Sequence, residues 1–410
     1  MSLKTSKLFL NKKILENENI LFIQDLDGVC IPLVKDPMTR KLNKDYILAA
    51  KLFKNEFCVL TCGEHEGERG VNRIIERSLN SVIEPKKKGL YLQGLAACGV
   101  EFQDNKGNIS FEGISEKELD FLSQVPLLIK PRFENIIKRL FPYMEQKTID
   151  YHASISICKT KFSPTINFNS LFEIVGNNWE KRVIVQKELH NMMNEIINIC
   201  EYENLSNSFF LHISPNLGKI NEKEIIKYST QNDIGTTDIQ FLLKGAVKDS
   251  GVLVLLNNFI GKKTGTKPFG QNFNFRDSPK NLKDKVAFCK KYIQKKDMPL
   301  IIGIGDTITS QKNSEEKFYS RGGSDRSFLE LIQALGKEYN NKNLIIFVDS
   351  SSGEVFRPST KKTGLEGITD KEDYLKFDFI FQNGTKEYIK WFMEVANQRY
   401  LIKNKIKNKE

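Results

Sequence analysis

The apolar positions of this chain predict buried strands that alternate with helices. Short apolar runs are typical of buried parallel strands, and apolar residues at helical spacing predict helices between them. The predicted strands of this kind are 20–23, 57–61, 299–304, 344–348 and 377–381. Because strands and helices alternate, we expect an α/β fold with a parallel sheet and helices on both faces.

Helix signals and turn residues complete this pattern. Asn43 is placed to cap a helix, and residues after Lys248 read as a further apolar helix. The segments 89–92 and 100–102 read as a strand and a hairpin, with 104–108 as the turn. Other helices are predicted up to residue 19, over 71–79 and over 385–400.

Between residues 111 and 241 the composition and the hydrophobic pattern of the sequence change. Lys- and Glu-rich helical patterns cover 116–122 and 182–202, with strand-like segments at 153–158 and 209–213. We therefore expect an inserted α+β cap domain at 111–241. The core is then formed by two parts, 1–110 and 242–400, and the Lys-rich 401–410 is predicted to be a disordered tail.

Composition narrows the function classes. The 410 residues carry a formal net charge of +11, which indicates either a solvated Lys-rich surface or attraction to an anion. The lysines are scattered and no nucleic-acid motif stands out. Seven cysteines without a repeated spacing argue against a disulfide framework or structural zinc, and Cys62 is interpreted as a packing residue. With no signal peptide or spanning segment, we expect a cytoplasmic protein without membrane association.

Two acids, Asp25 and Asp27, follow the first strand directly. The carboxyl ends of parallel strands are where open α/β sheets place their chemistry. Acids that lie close together there repel each other, and a bound cation would offset that repulsion; Mg²⁺ prefers carboxylates plus phosphate oxygens as ligands. One acid can then attack phosphorus while the other donates and accepts the proton.

Four further residues lie near strand or helix ends. Thr61 ends the second strand, and Lys248, with Lys244 as its rival, precedes a helix and suits phosphate. Asp306 follows Gly-x-Gly at a strand end, and Asp325 precedes another helix. Each also has a plain structural reading: a strand threonine, a loop lysine, a turn aspartate and a helix cap.

The order of these motifs resembles that of the haloacid-dehalogenase-like phosphotransferases. Further segments across nearly all of the chain are similar to one branch, the cyanobacterial glucosylglycerol 3-phosphate phosphatases or salt tolerance proteins. Those segments are 24–30, 36–42, 59–71, 163–165, 207–210, 235–238, 247–253, 298–307, 322–326 and 348–351. One departure is that Ser310 stands where the superfamily has its usual second acid, and Asp325 comes only after a polar insert, 311–321, expected to be flexible.

The resemblance implies a haloacid-dehalogenase-like Rossmannoid core and a Mg²⁺-dependent phosphatase that works through an aspartyl-phosphate. Asp25 would be the nucleophile, Asp27 the general acid and base, and Thr61 and Lys248 the phosphate-binding residues. The metal would be held by Asp25, the Asp27 backbone carbonyl and Asp306, with Asp325 as a further candidate ligand. Whether Asp306, Asp325 or both hold the metal stays open.

The cap would close over the substrate and exclude water, as in sucrose- and trehalose-phosphate phosphatases. The candidate sugar contacts are Glu64, His65, Ser163, Thr165, Asn167, His212, Asn216 and Asp238. The expected partners are a phosphorylated glucosylglycerol as substrate and glucosylglycerol-phosphate synthase through functional coupling. We expect a monomer that does not bind nucleic acid.

Three alternatives remain at this stage. The substrate could be another phosphorylated sugar, such as sucrose 6-phosphate or glucosylglycerate 3-phosphate. A mutase would keep the phosphoryl group on the substrate. A basic nucleic-acid-binding or regulatory module on a degenerate fold would show salt-sensitive binding that survives Asp25→Asn.

Overall fold

The computed structural model describes residues 6–312 and 318–407. Its strands are β1 (Ile20–Gln24), β2 (Phe57–Leu60), β3 (Gly94–Ala96), β4 (Glu101–Gln103), β5 (Ile109–Ser110), β6 (Ile157–Cys158), β7 (Thr165–Asn167), β8 (Phe209–Ser214), β9 (Asn216–Ile220), β10 (Lys223–Ile226), β11 (Asp238–Leu243), β12 (Leu300–Gly305), β13 (Thr309–Lys312), β14 (Tyr319–Gly322), β15 (Leu344–Val348) and β16 (Phe379–Phe381).

The helices complete the description of the elements. They are α1 (Lys7–Glu16), α2 (Lys44–Leu52), α3 (Val71–Leu79), α4 (Glu84–Lys88), α5 (Glu116–Leu140), α6 (Gln146–Ser156), α7 (Asn169–Val175), α8 (Trp179–Tyr202), α9 (Lys248–Thr264), α10 (Leu282–Tyr292), α11 (Arg326–Tyr339), α12 (Thr360–Thr363) and α13 (Thr385–Lys407).

The core is built on an eight-stranded sheet in the order β16-β15-β12-β1-β2-β3-β4-β5. The strands from β16 to β3 run parallel, and β4 and β5 add an antiparallel edge. β1 lies in the interior, between β12 and β2, with Phe22 opposite Ile302 and Phe57. Residues that follow β1 therefore meet those that follow its neighbours at one carboxyl edge.

Side chains along each core strand alternate between the two faces of the sheet. Ile20 and Phe22 pack with the helices α1, α2, α3 and α13 in one buried cluster. Leu21 and Ile23 pack with α9, α10 and α11 in another. The predicted α/β fold, a parallel sheet with helices on both faces, is confirmed.

The segment between β5 and α9 forms a second layer with a hydrophobic core of its own. An antiparallel sheet, β6-β7-β11-β8, packs against the long helices α5 and α8. We call this α+β layer the cap. Several contacts seat it on the core: Phe162 N donates to Glu64 Oε1 at 3.0 Å, and Arg357 donates to the carbonyl of Gly235 at 3.0 Å.

Three local predictions are wrong. The apolar run 89–92, predicted as a strand, instead follows helix α4 as a loop, and the strand begins only at Gly94. Gly89 ends α4 in a left-handed conformation, which turns the chain into this loop. The segment 153–158 is mostly the end of α6, and only Ile157 and Cys158 pair as a strand. The tail 401–410 is not disordered throughout, since α13 continues to Lys407; residues 408–410 lie outside the described part.

The insert 311–321 is also more ordered than predicted where it is described. β13 and β14 form an antiparallel hairpin, with Ser310 opposite Arg321. Both of these side chains bind Asp370: Ser310 Oγ donates at 2.6 Å and Arg321 Nη2 at 2.7 Å. Residues 313–317 of this insert lie outside the described residues.

Among the described residues, none of the helices combines the length and the apolar character that crossing a membrane requires.

Candidate active site

The turn after β1 places Asp25 at the carboxyl edge of the sheet. Asp25 N donates to Ile304 O at 3.0 Å, which continues the pairing of β1 with β12. The carbonyl of Leu26 then accepts from the amides of Cys30 and Ile31, each at 3.0 Å, so the chain turns at once. Asp25 is buried, whereas the Asp27 side chain is 34% exposed.

Lys248 begins helix α9 and reaches the same point from the other side. Its Nζ lies 2.9 Å from Asp25 Oδ2 and 2.6 Å from Asp325 Oδ1, and it is buried. Burial by itself would lower the pKa of Lys248, but the two carboxylates outweigh it. The pKa therefore lies above its usual value and the amine stays charged. The rival Lys244 is not part of this cluster.

Asp306 and Asp325 complete a group of three buried acids with Asp25. One carboxylate oxygen of each lies within 4.8 Å of the other two. Asp325 is fully engaged: Oδ1 accepts from Lys248, and Oδ2 accepts from the amides of Asp306 and Thr307 at 2.9 Å each. Asp325 therefore holds Lys248 and the turn after β12 in place.

Two oxygens in this group have no hydrogen-bond partner among the described residues: Asp25 Oδ1 and Asp306 Oδ2. Burial, followed by neighbouring acids, raises the pKa of Asp306 well above its ordinary value, and burial raises that of Asp25 to about 7. Unpaired buried carboxylates of this kind are the ligands that Mg²⁺ prefers. The donor set therefore fits a hard divalent cation.

Gly28 allows Asp306 to come this close to the turn after β1. A Cβ at Gly28 would lie 2.0 Å from Asp306 Oδ2, and its φ is +83°, in the region that favours glycine. Only a residue without a side chain fits this turn while Asp306 keeps its position.

Thr61 directly follows β2, next to β1 in the sheet. Its hydroxyl accepts from Gly63 N at 3.2 Å and keeps its own proton for another acceptor. Together with Lys248 it lines a cleft between the core and the cap. The structure thus brings Asp25, Thr61, Lys248, Asp306 and Asp325 together, as their order along the chain predicts.

Asp27 is linked to the cap through two arginines. Arg40 Nη1 lies 3.0 Å from Asp27 Oδ2, and its Nη2 donates to the carbonyl of Arg69. Arg69 in turn donates to Ser154 O at 3.2 Å and Cys158 Sγ at 2.7 Å in the cap. Asp27 is therefore held by an arginine, and about a third of its side chain stays exposed.

The cleft has a volume of about 500 Å³ and both the core and the cap contribute to its walls. Burial raises the pKa of Glu64, on the core side, to about 7. The predicted sugar contacts that line the cleft are Glu64, Ser163, Thr165, Asn167 and Asp238. Their contact with substrate stays a prediction.

Three other predicted sugar contacts are placed elsewhere. His65 is buried between Gly94 O and Gln103, and burial lowers its pKa to about 4. Asn216 bonds Glu224 and backbone atoms, and His212 also bonds Glu224. None of the three lines the cleft, because each satisfies the hydrogen-bonding needs of its own buried surroundings.

Three residues of the cleft wall with unpaired polar atoms are absent from the sequence-based predictions: Asn169, Gln240 and Arg357. Asn169 Oδ1, Gln240 Oε1 and Arg357 Nε are buried and have no hydrogen-bond partner among the described residues. Arg357 lies in the loop after β15. A polar residue beyond the carboxyl end of a core strand was the available signal for it.

The cysteine prediction is corrected as well. Cys62 is not a free packing residue, because it forms a disulfide with Cys98. The free cysteines of the described residues are all buried: Cys30, Cys58, Cys158, Cys200 and Cys289.

The chain is similar in sequence to known proteins. The family model for glucosylglycerol-phosphate phosphatase matches residues 19–396. The glucosylglycerol-phosphate phosphatase of Synechocystis sp. is 39% identical over 400 residues, covering 94% of each chain.

Two solved structures are similar over most of their length. The C-terminal domain of the C. albicans trehalose-6-phosphate phosphatase is 10% identical with a TM-score of 0.48, covering 96% of this chain and 98% of that one. The Aspergillus fumigatus trehalose-6-phosphate phosphatase is 9% identical with a TM-score of 0.38 over the same shares.

The family match spans the strand ends that carry the acids, the lysine and the cap alike. With the identity to the Synechocystis protein, it shows that this chain belongs to the glucosylglycerol-phosphate phosphatases, which are phosphoric monoester hydrolases.

Proposed function

We propose that this enzyme hydrolyses 2-O-glucosylglycerol 3-phosphate to glucosylglycerol and phosphate, with Asp25 as nucleophile. One observation carries the assignment of Asp25. Lys248 binds Oδ2 of this carboxylate at 2.9 Å and leaves Oδ1 buried, without a hydrogen-bond partner in the part of the chain that the structure describes. An unpaired carboxylate oxygen beside a charged lysine is suited to attack an anionic phosphoryl group, whose charge the lysine offsets.

In the first step, Asp25 Oδ1 attacks phosphorus in line, and the bond from phosphorus to the sugar-alcohol oxygen breaks. Asp27 gives a proton to that leaving oxygen. In the second step, Asp27 takes a proton from water, whose oxygen displaces Asp25 from phosphorus. Thr61 Oγ1 and Lys248 Nζ bind the remaining phosphate oxygens in both steps.

Asp25, the Asp27 backbone carbonyl and Asp306 would hold Mg²⁺. When bound, the ion neutralises negative charge on the nucleophile and the phosphoryl group. Asp325 is a positioning residue in this scheme, because its oxygens are occupied by Lys248 and two backbone amides. This choice favours Asp306 over Asp325 as the direct ligand.

The cleft supports a polyhydroxylated substrate. Its wall offers unpaired acceptors at Asn169 and Gln240 and an unpaired donor at Arg357. Sugar hydroxyls both donate and accept, so they can satisfy all three atoms. We propose that Asn167 and Asp238, bonded to each other at 2.8 Å, form part of the same sugar-binding wall.

We propose further that the enzyme acts as a cytoplasmic monomer and that its substrate is supplied by a glucosylglycerol-phosphate synthase. Size-exclusion chromatography with light scattering tests this oligomeric state, since the scattering mass of a dimer would be twice that of the 47.2 kDa chain.

Phosphate release from a panel of sugar phosphates tests the proposed reaction. The panel is glucosylglycerol 3-phosphate, glucosylglycerate 3-phosphate, sucrose 6-phosphate and trehalose 6-phosphate, each with and without Mg²⁺. We expect turnover of the first alone, dependent on Mg²⁺ and reduced at least about 1000-fold in Asp25→Asn. Asp104→Asn is the matched control, because Asp104 holds only the β4–β5 turn.

Each contrary result has a distinct meaning. Turnover of another ester alone would keep the mechanism and reject the substrate. Activity retained in Asp25→Asn would reject Asp25 as nucleophile. Product that keeps its phosphate, moved to another hydroxyl, would indicate a mutase.

A further inference from the structure

The disulfide between Cys62 and Cys98 lies beside the proposed phosphate-binding threonine. Cys62 is the residue after Thr61, and Cys98 N donates to the carbonyl of Thr61 at 3.0 Å. Cys62 is half-buried and lines the cleft, whereas Cys98 is buried. The disulfide therefore joins the loop that carries Thr61 to the turn that follows β3.

That turn also contacts the helix that carries Lys248. Gly99 lies against Gly251 in the first turn of α9, where a Cβ on Gly99 would come within 3.2 Å of Gly251 Cα. Ala97 and Cys98 both have positive φ, at 47° and 56°. Consecutive non-glycine residues in this region are strained and need a constraint to persist. The disulfide supplies one, and through it Thr61 is held relative to Lys248.

A histidine of the cap faces the sulfur of Cys62, the less buried of the two cysteines. His212 Nε2 lies 3.8 Å from Cys62 Sγ, and His212 Nδ1 lies 3.1 Å from Glu224 Oε1. With a proton on Nδ1 donated to Glu224, Nε2 is the ring's acceptor and faces Cys62. When Cys62 is a thiol, His212 can take its proton and make it a better nucleophile.

We propose that Cys62 and Cys98 form a reversible dithiol–disulfide pair that sets the affinity of this enzyme for its phosphorylated substrate. The disulfide form keeps Thr61 and Lys248 together in the wall of the cleft. In the dithiol form the turn 97–99 relaxes, and the phosphate-binding loop loses its fixed position.

The exchange needs a dithiol reductant and a disulfide oxidant, and it balances in both directions. In reduction, a reductant thiolate attacks Cys62 Sγ and releases the Cys98 thiolate. The second thiolate of the reductant then displaces Cys62, so the reductant leaves as a disulfide and both cysteines take up protons.

In oxidation, Cys62 passes its proton to His212 and attacks the oxidant disulfide, which gives a mixed disulfide and a released thiolate that takes the proton from His212. Cys98 then attacks Cys62 Sγ, and its proton goes to the second thiol released.

Thiol titration of the whole, denatured chain tests the pairing without any activity measurement. The chain has seven cysteines, of which five are free in the structure. After treatment with glutathione disulfide we expect five reactive thiols, and seven after dithiothreitol. Peptide mapping of the oxidised protein should show Cys62 linked to Cys98.

Steady-state kinetics then test the effect of the disulfide on substrate affinity. This part of the proposal rests on the proposed function. Dithiothreitol should raise KM for glucosylglycerol 3-phosphate by about threefold to tenfold, since one constraint on the loop is lost. Cys62→Ser and Cys98→Ser should have the raised KM in both redox states. Cys200→Ala, at the end of cap helix α8, is the matched control and should respond as wild type does.

Several results would overturn the proposal. Seven reactive thiols after oxidation would show that the pair does not form. An unchanged KM on reduction of a proven disulfide would reject its control of affinity. One equivalent of bound Zn²⁺ that masks both thiols would identify Cys62, Cys98 and His212 as a metal site instead. Inactivity on every substrate would reject the proposed function but leave the thiol count valid.

Discussion

A methyl group added at Gly28 tests whether the close approach of the β1 turn to Asp306 is essential for activity. The Cβ of Gly28→Ala would lie 2.0 Å from Asp306 Oδ2 and 2.2 Å from its Cγ. Ordinary contact begins at 3.4 Å, so the carboxylate must withdraw by about 1.4 Å. A shift of this size removes Asp306 from the unpaired oxygen of Asp25.

Two costs are expected, and a control separates them. Alanine at positive φ costs about 1–2 kcal/mol of stability whatever surrounds it. Gly265, which follows α9, has φ +81° and ψ −8°, and none of the described residues places an atom within 4 Å of its would-be Cβ, so Gly265→Ala carries the backbone cost alone. Gly28→Ala carries the same cost plus the displacement of Asp306, which should lower kcat/KM by at least about 100-fold.

The assay is phosphate release from glucosylglycerol 3-phosphate at saturating Mg²⁺, with urea unfolding of the same samples. Gly28→Ala should lose at least as much stability as Gly265→Ala, but only Gly28→Ala should lose activity. The reasoning is refuted if Gly28→Ala is folded and its kcat/KM stays within about threefold of the Gly265→Ala value.

Three further substitutions test individual charges. Lys248→Met should stop phosphate release and lower the free energy of unfolding by about 3 kcal/mol, because Asp25 loses its buried cation; wild-type urea stability would contradict this. Burial raises the pKa of Glu64 from 4.5 to about 7, so the native state binds this proton more tightly and stability falls as pH rises between these values. Glu64→Gln should reduce that slope in urea unfolding at about pH 4.5–7, and an unchanged slope would exclude Glu64 as its source. Asp373→Asn removes the charge that meets Arg326 Nη2 at 2.7 Å and should cost about 3 kcal/mol in thermal unfolding, which a wild-type melting curve would rule out.

Strands and local turns were largely readable from sequence. The predicted strand 344–348 coincides with β15, and Asn43 caps α2 by accepting from Asp45 N at 2.7 Å. These features depend on residues close in sequence: an apolar run buried on both faces, or a side chain that bonds its own helix. The run at 89–92 was misread because a buried loop needs apolar residues as much as a strand does.

The residues of the site could be predicted only in part, because only some of their positions follow from nearby sequence. Asp25, Thr61 and Asp306 lie at predictable strand ends, and the parallel sheet brings such ends together. His65 and His212 are predicted as sugar contacts but do not line the cleft, since a histidine near a cleft and one satisfied inside a core look alike in sequence. Arg357 was missed because its loop meets the cap only in three dimensions.

The sequence by itself determined the alternation of strands and helices, the order of the acids and lysine, and the family. Tertiary structure alone decided that Asp325 binds Lys248 and backbone amides, that Cys62 pairs with Cys98, and that Arg40 holds Asp27. The reason is physical. Periodicity and motif order come from neighbours along the chain, whereas hydrogen bonds and charge pairs depend on distances of about 3 Å between residues far apart in sequence.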